Sequence, residues 1–171
     1  MLGIIPHDGM ALFQLDLSSE YGKPAVLLYL DLNCFNRPFD DQSQDRIARE
    51  TAAIFSALQR IIDGIDHLEW SAMMDVENAQ HPLVDRRTEI ARWAHRAVAN
   101  VAISEQVSAR AQALTEAGFG ALDAAHVACA EAAACDCLLT CDDRLIRAAR
   151  RVQLAVRVQN PVEYVGEQTH G

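Results

Sequence analysis

No run of apolar residues in this 171-residue chain is long enough to cross a bilayer. Basic residues are in deficit: fifteen Lys and Arg stand against twenty-four Asp and Glu, a formal net charge of −9. That balance excludes a broadly basic coat for nonspecific nucleic-acid binding. It does not exclude chemistry on nucleic acid, because carboxylates gathered around divalent cations present a far less negative site than their count. No Lys or Arg precedes Lys23, and Pro6, His7 and Asp8 interrupt the early apolar residues, so no secretory signal is expected. Aromatics are scarce at 6%, and the abundant alanine favours helices.

Cysteine is present in odd number: Cys34, Cys129, Cys135, Cys137 and Cys141. Four of them cluster, so zinc is to be weighed, but they form no paired C-x-x-C knuckle. They read as small buried apolar residues with free thiols in a reducing cytoplasm. There is no internal repeat, low-complexity tract or interdomain linker. Half the residues are hydrophobic, a globular composition of one-domain length. Residues 1–23 read as an N-terminal extension with weak periodicity, 24–165 as the domain, and 166–171 as a tail; Met10 is an alternative start.

Residues 25–31, Ala-Val-Leu-Leu-Tyr-Leu-Asp, are a continuous apolar run ending in a carboxylate, which suits a central parallel strand buried on both faces. A polar loop is expected next, at the strand end where open α/β sheets place their sites. Ile47, Thr51, Ile54, Phe55, Leu58, Ile61 and Ile62 predict a helix over 44–62, started by Asp41 or Ser43 and stopped by Gly64. A strand over 67–70, a helix carrying Glu77, and helices over 84–97, 104–117 and 122–134 follow. A strand over 137–140, a helix through Arg150 and a last strand over 154–158 complete the pattern. Strands alternating with helices give the fold class: α/β, a parallel-sheet α/β/α sandwich.

Acids sit at the seams. Asp31 ends the first strand, Asp123 opens a helix, and Asp142 follows a strand and opens the next helix. In a parallel sheet those strand ends share one edge, so residues remote in sequence can converge. Glu77 lies within a helix and joins them only through tertiary folding. Convergent carboxylates repel without a cation, and Mg²⁺ or Mn²⁺ suits oxygen ligands. Taken singly, each acid is also explained as a helix cap or a solvated residue.

These residues resemble the motifs of the PIN-domain family. Tyr-Leu-Asp-Leu-Asn at 29–33 is similar to the first motif, with Asn33 in its second polar place. Ser-Ala-Met-Met-Asp-Val-Glu-Asn at 71–78 is similar to the second, with Glu77 in the acidic place and Asp75 and Glu50 as competitors. Leu-Asp-Ala-Ala-His-Val-Ala-Cys-Ala at 122–130 and Leu-Leu-Thr-Cys-Asp-Asp-Arg-Leu at 138–145 resemble the third and fourth. Leu32 departs from the commoner Thr or Ser, and Leu145 from Phe. The resemblance implies a PIN-like fold and a divalent-metal ribonuclease of the VapC-like toxin branch, leaving 5′-phosphate and 3′-hydroxyl ends. It implies Asp31, Glu77, Asp123 and Asp142 as catalytic acids, with Asp143 as a further ligand of Mg²⁺ or Mn²⁺. An RNA substrate, an antitoxin protein and a homodimer are the implied partners, with no membrane.

Asn33, Arg37 and Thr140 are candidates for substrate contact, or for organising the loop and strand end around Asp31. His126, one turn after Asp123, reads as a packed helix histidine, the alternative being a hydrogen bond to that carboxylate. Arg86, Arg87, Arg92 and Arg96 form a basic strip that reads as a solvated helix face. Two other function classes compete: a noncatalytic PIN-fold binding module and a haloacid-dehalogenase-like phosphatase. The phosphatase would want an acid where Asn33 stands.

Overall fold

The computed structural model describes residues 23–169; the expected extension over 1–23 lies, but for Lys23, outside them. Five strands form one sheet: β1 (Leu27–Leu30), β2 (His67–Ser71), β3 (Ala99–Val101), β4 (Cys137–Leu139) and β5 (Arg157–Gln159). Their order is β3-β2-β1-β4-β5 and every pairing is parallel. The chain builds outward from β1 to β2 and β3, then crosses to β4 and β5 on the other side. The β1–β4 boundary is therefore the topological switch point, where open α/β sheets carry their crevice.

The apolar run over 25–31 becomes β1 because it sits at the middle of the sheet. Leu28, Tyr29 and Leu30 are wholly buried, as are Cys137, Leu138 and Leu139 of β4 beside them. Helices α1 (Leu32–Asn36), α2 (Asp45–Ile62), α3 (Ala72–Ala79), α4 (Val84–Ala94), α5 (Glu105–Glu116), α6 (Ala121–Ala132), α7 (Asp143–Ala149) and α8 (Pro161–Thr169) flank the sheet. Helix α2 buries Ile54, Ala57, Leu58 and Ile61 and packs on α8, while α5 packs on α6. Gly64 (φ +72°) and Gly118 (φ +100°) follow α2 and α5 in the left-handed conformation that ends helices. All five cysteines are buried free thiols, and burial pushes Cys135 and Cys137 up to about 12.

The sequence pattern is corrected at several places. The polar stretch after Asp31 is α1 followed by a 3-10 turn over Arg37–Phe39, not an open loop. Asp41 does not cap α2; its carboxylate accepts from Ser43 N and Oγ, and Gln44 holds the cap position with no side-chain bond. Helix α4 stops at Ala94, because Val98 N must reach Leu68 O as the chain enters β3. That strand was not expected: it is a three-residue, largely exposed edge with no apolar alternation. The last strand starts three residues later than expected and ends one later, since Ala155 N donates to Glu131 Oε1 rather than to a sheet partner. Helix α8 was also missed, although Asn160 and Pro161 are a cap and a first-turn proline; Val162 N donates to Asn160 Oδ1 at 2.9 Å. Phe55 and Ile62, expected to face the core, are about half exposed and border a groove shared with Phe35, Phe39 and Trp93.

Candidate functional site

Asp31 leaves β1 at its carboxyl end, its amide held by Leu139 O of β4 at 2.9 Å. The switch point thus places it directly beside the end of β4. There Thr140, wholly buried, donates Oγ1 to Asp31 Oδ2 at 2.7 Å and accepts from Asp142 N at 3.1 Å. Asn33 Nδ2 donates to the same Asp31 oxygen at 2.6 Å and to Thr140 Oγ1 at 2.9 Å, and its Oδ1 accepts from Cys141 N. One Asp31 oxygen is therefore bound by two donors. The other receives only a long 3.5 Å contact from Asn33 N.

Glu77 arrives from α3, whose start is set by Ser71 accepting from Met74 N. His126 of α6 meets it: Nε2 lies 2.7 Å from Glu77 Oε2, and Nδ1 lies 2.8 Å from the Tyr29 hydroxyl. Tyr29 in turn touches Ser71 Oγ at 2.6 Å. Asp31, Glu77 and His126 each offer a ligand atom within 4.8 Å of the others. Both ring nitrogens of His126 are already engaged, so it supports Glu77 rather than standing free as a donor.

Asp123 lies in the first turn of α6 and Asp142 is the N-cap of α7, accepting from Arg144 N at 2.6 Å. A Cβ on Gly120 would stand 3.1 Å from Asp123 Oδ2, so glycine there leaves room for that carboxylate. Burial, followed by the charges of Asp31 and Asp142 and then Glu77, raises Asp123 above the ordinary carboxylate range. Asp31 is raised mainly by its burial, with Glu77 adding to it against His126 and Thr140. For His126, burial is the largest single influence and disfavours the imidazolium. The Glu77 hydrogen bond and the charges of Asp31, Glu77 and Asp123 together outweigh it and lift the imidazole. Asp123 thus feels the charges of the other three expected acids, while the ligand atoms that lie within 4.8 Å of one another are those of Asp31, Glu77 and His126.

Among the described residues no Arg or Lys forms an ion pair with Asp31, Glu77, Asp123 or Asp142. Of the other buried acids among the described residues, Glu50 and Asp66 have one, whereas Glu69 has none. Glu50, a competitor for the second motif, is held by Arg37 and Arg46, each at 2.9 Å, and by Asn160. Asp75, the other competitor, accepts from Trp70 Nε1. Asp143 departs from its expected place among the ligands: both its oxygens bind Arg46, at 2.7 and 2.8 Å, and that bond holds its carboxyl below the usual range. Arg37 is committed to Glu50 and Asp40. Asn33 and Thr140 are turned onto Asp31 and the neighbouring backbone. These contacts organise the site. His126, read as a packed residue, is buried at the cluster and bonded to Glu77 rather than Asp123; its position one turn after a motif acid was the signal.

The folded chain is similar to a chain in the crystal structure of VapBC2 from Rickettsia felis bound to a DNA fragment from their promoter, with a TM-score of 0.53 and 12% identity. The match covers 78% of this chain and 98% of that one. The fold is a PIN-like α/β/α sandwich. No family model and no curated protein matches the sequence. No helix among the described residues is long and apolar enough to cross a membrane.

Proposed function

We propose that this PIN-like domain, spanning 24–165, is a divalent-metal-dependent endoribonuclease, the toxin of a toxin–antitoxin pair. The observation that carries the reading is the gathering of Asp31, Glu77, Asp123 and Asp142 about the switch point, with His126 beside Glu77 and no Arg or Lys paired to any of the four. The buried Glu50 and Asp66 are neutralised by arginine, so several acids gathered without one suit a bound cation. The donors are carboxylate oxygens, which suit Mg²⁺ or Mn²⁺; these four acids would hold the ion. Such an ion supplies charge neutralisation at a phosphoryl oxygen and lowers the pKa of a water.

The chain's own contribution is preorganisation. Thr140 and Asn33 bind one oxygen of Asp31 and leave the other for the ligand. His126, backed by Tyr29 and Ser71, fixes Glu77. Gly120 gives Asp123 its space, and the α7 cap holds Asp142. An antitoxin partner is supported by the groove in which Phe39, Phe55 and Ile62 are exposed above Phe35 and Trp93, since an exposed apolar surface suits a protein ligand. The VapBC2 likeness agrees with that partner, and a homodimer in the cytoplasm is part of the same reading. The test is cleavage of mixed single-stranded RNA with Mg²⁺ or Mn²⁺. Cleavage should stop with chelator and leave 5′-phosphate ends; persistence in excess chelator, or 2′,3′-cyclic phosphates, overturns the proposal.

A further inference from the structure

Most of the chain's arginines are occupied. They pair with acids, as Arg37, Arg46, Arg60 and Arg110 do, lie over the rings of Phe39 and Trp93, as Arg86 and Arg96 do, or bond a backbone carbonyl, as Arg87 does. Among the described residues only Arg144, Arg147 and Arg151 have neither an ion pair, a ring contact nor a side-chain hydrogen bond. Two of these three, Arg144 and Arg147, line one open concavity with Asn33 and Asp142. Arg46, Glu50, Asp143 and Arg147 also line the adjoining concavity, which continues to Arg49 and Arg150. The two together form a trough that begins at the acidic cluster and carries six arginines against Glu50, Asp142, Asp143 and Glu163. On a chain of net charge −9 this local basic excess is an exception.

The spacing orders it. Arg144, Arg147 and Arg150 recur every third residue, so they share one side of α7 and its end. They span about 9 Å along the axis at 1.5 Å per residue. Asp142 caps the helix immediately before them. Glu50 and Asp143 already neutralise Arg46 and fix its guanidinium, leaving Arg144 and Arg147 as the trough's cations with no ion pair or side-chain hydrogen bond, although Arg147 feels the charge of Asp143.

We propose that this trough is the phosphate-binding track for a single-stranded RNA, gripping the backbone on one side of the scissile bond through Arg144 and Arg147. It rests on the nuclease reading for which bond is cut, but binding is measurable without cleavage. The contacts are to phosphate, so they supply affinity and register and no base preference. This differs from the expected substrate contacts: Arg37, Asn33 and Thr140 are bound internally, and the free cations lie on α7 instead.

The experiment uses the full chain carrying Asp123→Asn, with a fluorescent single-stranded RNA and Mg²⁺, over a series of salt concentrations. Each phosphate contact on a single strand contributes about 0.7 to the slope of log affinity against log salt. Arg144→Gln with Arg147→Gln should reduce the slope by about 1.4 and weaken binding roughly tenfold at low salt. Arg86→Gln with Arg92→Gln, on the other basic strip, should change neither. In otherwise wild-type protein, Arg144→Gln with Arg147→Gln should raise KM for long RNA by a larger factor than it lowers kcat. An unchanged slope in the α7 variant, or an equal loss in the α4 variant, overturns the track. A wild-type protein that binds RNA with these arginine effects but never cuts it contradicts the nuclease reading alone.

Discussion

His126 Nε2 lies 2.7 Å from Glu77 Oε2 while its Nδ1 meets the Tyr29 hydroxyl at 2.8 Å, joining α6 to both α3 and β1. The imidazole is buried, so each bond it makes is one that water cannot replace. It couples the central strand to an acid of the cluster.

That coupling is measurable. His126→Ala leaves the Tyr29 hydroxyl with Ser71 as its remaining side-chain partner, and should destabilise the fold by about 1–3 kcal/mol for the lost buried bond, before any cavity cost. In a double-mutant cycle with Tyr29→Phe, the two losses should fall short of additivity by at least about 0.5 kcal/mol in urea denaturation. Strict additivity would show that the two side chains are not coupled.

Thr140 is a positioning residue with one donor and two incoming bonds. Thr140→Val keeps the shape and removes the hydroxyl. It should cost about 1–3 kcal/mol and lower the RNA cleavage rate more than tenfold, because Asp31 loses its shortest hydroxyl donor. Thr140→Ser should restore most of the rate. Equal activity of the Val and Ser variants would remove Thr140 from the account.

Asp66 provides the pH test. Burial, its largest influence, raises it, but Arg60, Tyr164 and the Val26 amide together hold its carboxyl below the usual range. A depressed carboxyl stabilises the fold fully above its unfolded pKa of about 4 and loses that contribution as pH falls through the folded value. Metal-free protein should therefore lose stability steeply below about pH 4. Asp31 and Asp123, both raised, act in the opposite sense: ionised they oppose folding, so acidification from neutral pH toward their unfolded values adds stability. Asp66→Asn should cost about 3–5 kcal/mol at neutral pH and flatten the acid limb only. Denaturation across pH in the presence of chelator checks both slopes; an unchanged acid limb in the variant assigns it to other groups.

Much of this arrangement was legible because it depends on local pattern. The run into Asp31 suits a strand buried on both faces, as β1 is, and the periodicity of 44–62 reproduces α2 to within a residue. Asp31, Asp123 and Asp142 sit at element seams, and a parallel sheet brings seams to one edge, whereas Glu77 sits within α3. What escaped depends on tertiary contacts. Strand β3 has almost no apolar pattern and exists because it pairs with β2. Asp142 and Asp143 are adjacent and chemically identical, and only Arg46, approaching from α2, draws one of them away. His126 looks like any packed histidine until α3 delivers Glu77 to it. Phe55 and Ile62 keep helical spacing yet face the groove, since the apolar face of α2 is wider than the core it covers.

In the proposed nuclease four carboxylates share a cation. Asp123→Asn removes one negative charge from the cluster, and Asn retains the hydrogen-bonding capacity of the first helical turn. The opposing loss of a charge near a helix start is worth about 0.3–1 kcal/mol. Relief of repulsion should outweigh it and raise metal-free stability by about 1 kcal/mol. The measurement is a set of melting curves of wild type and Asp123→Asn, each with chelator and with Mg²⁺. The variant is expected to melt higher with chelator and to gain much less from Mg²⁺, since binding to the folded state alone stabilises by mass action. A variant that melts lower with chelator, while both proteins gain equally from Mg²⁺, would make Asp123 an ordinary first-turn residue and contradict the shared cation site.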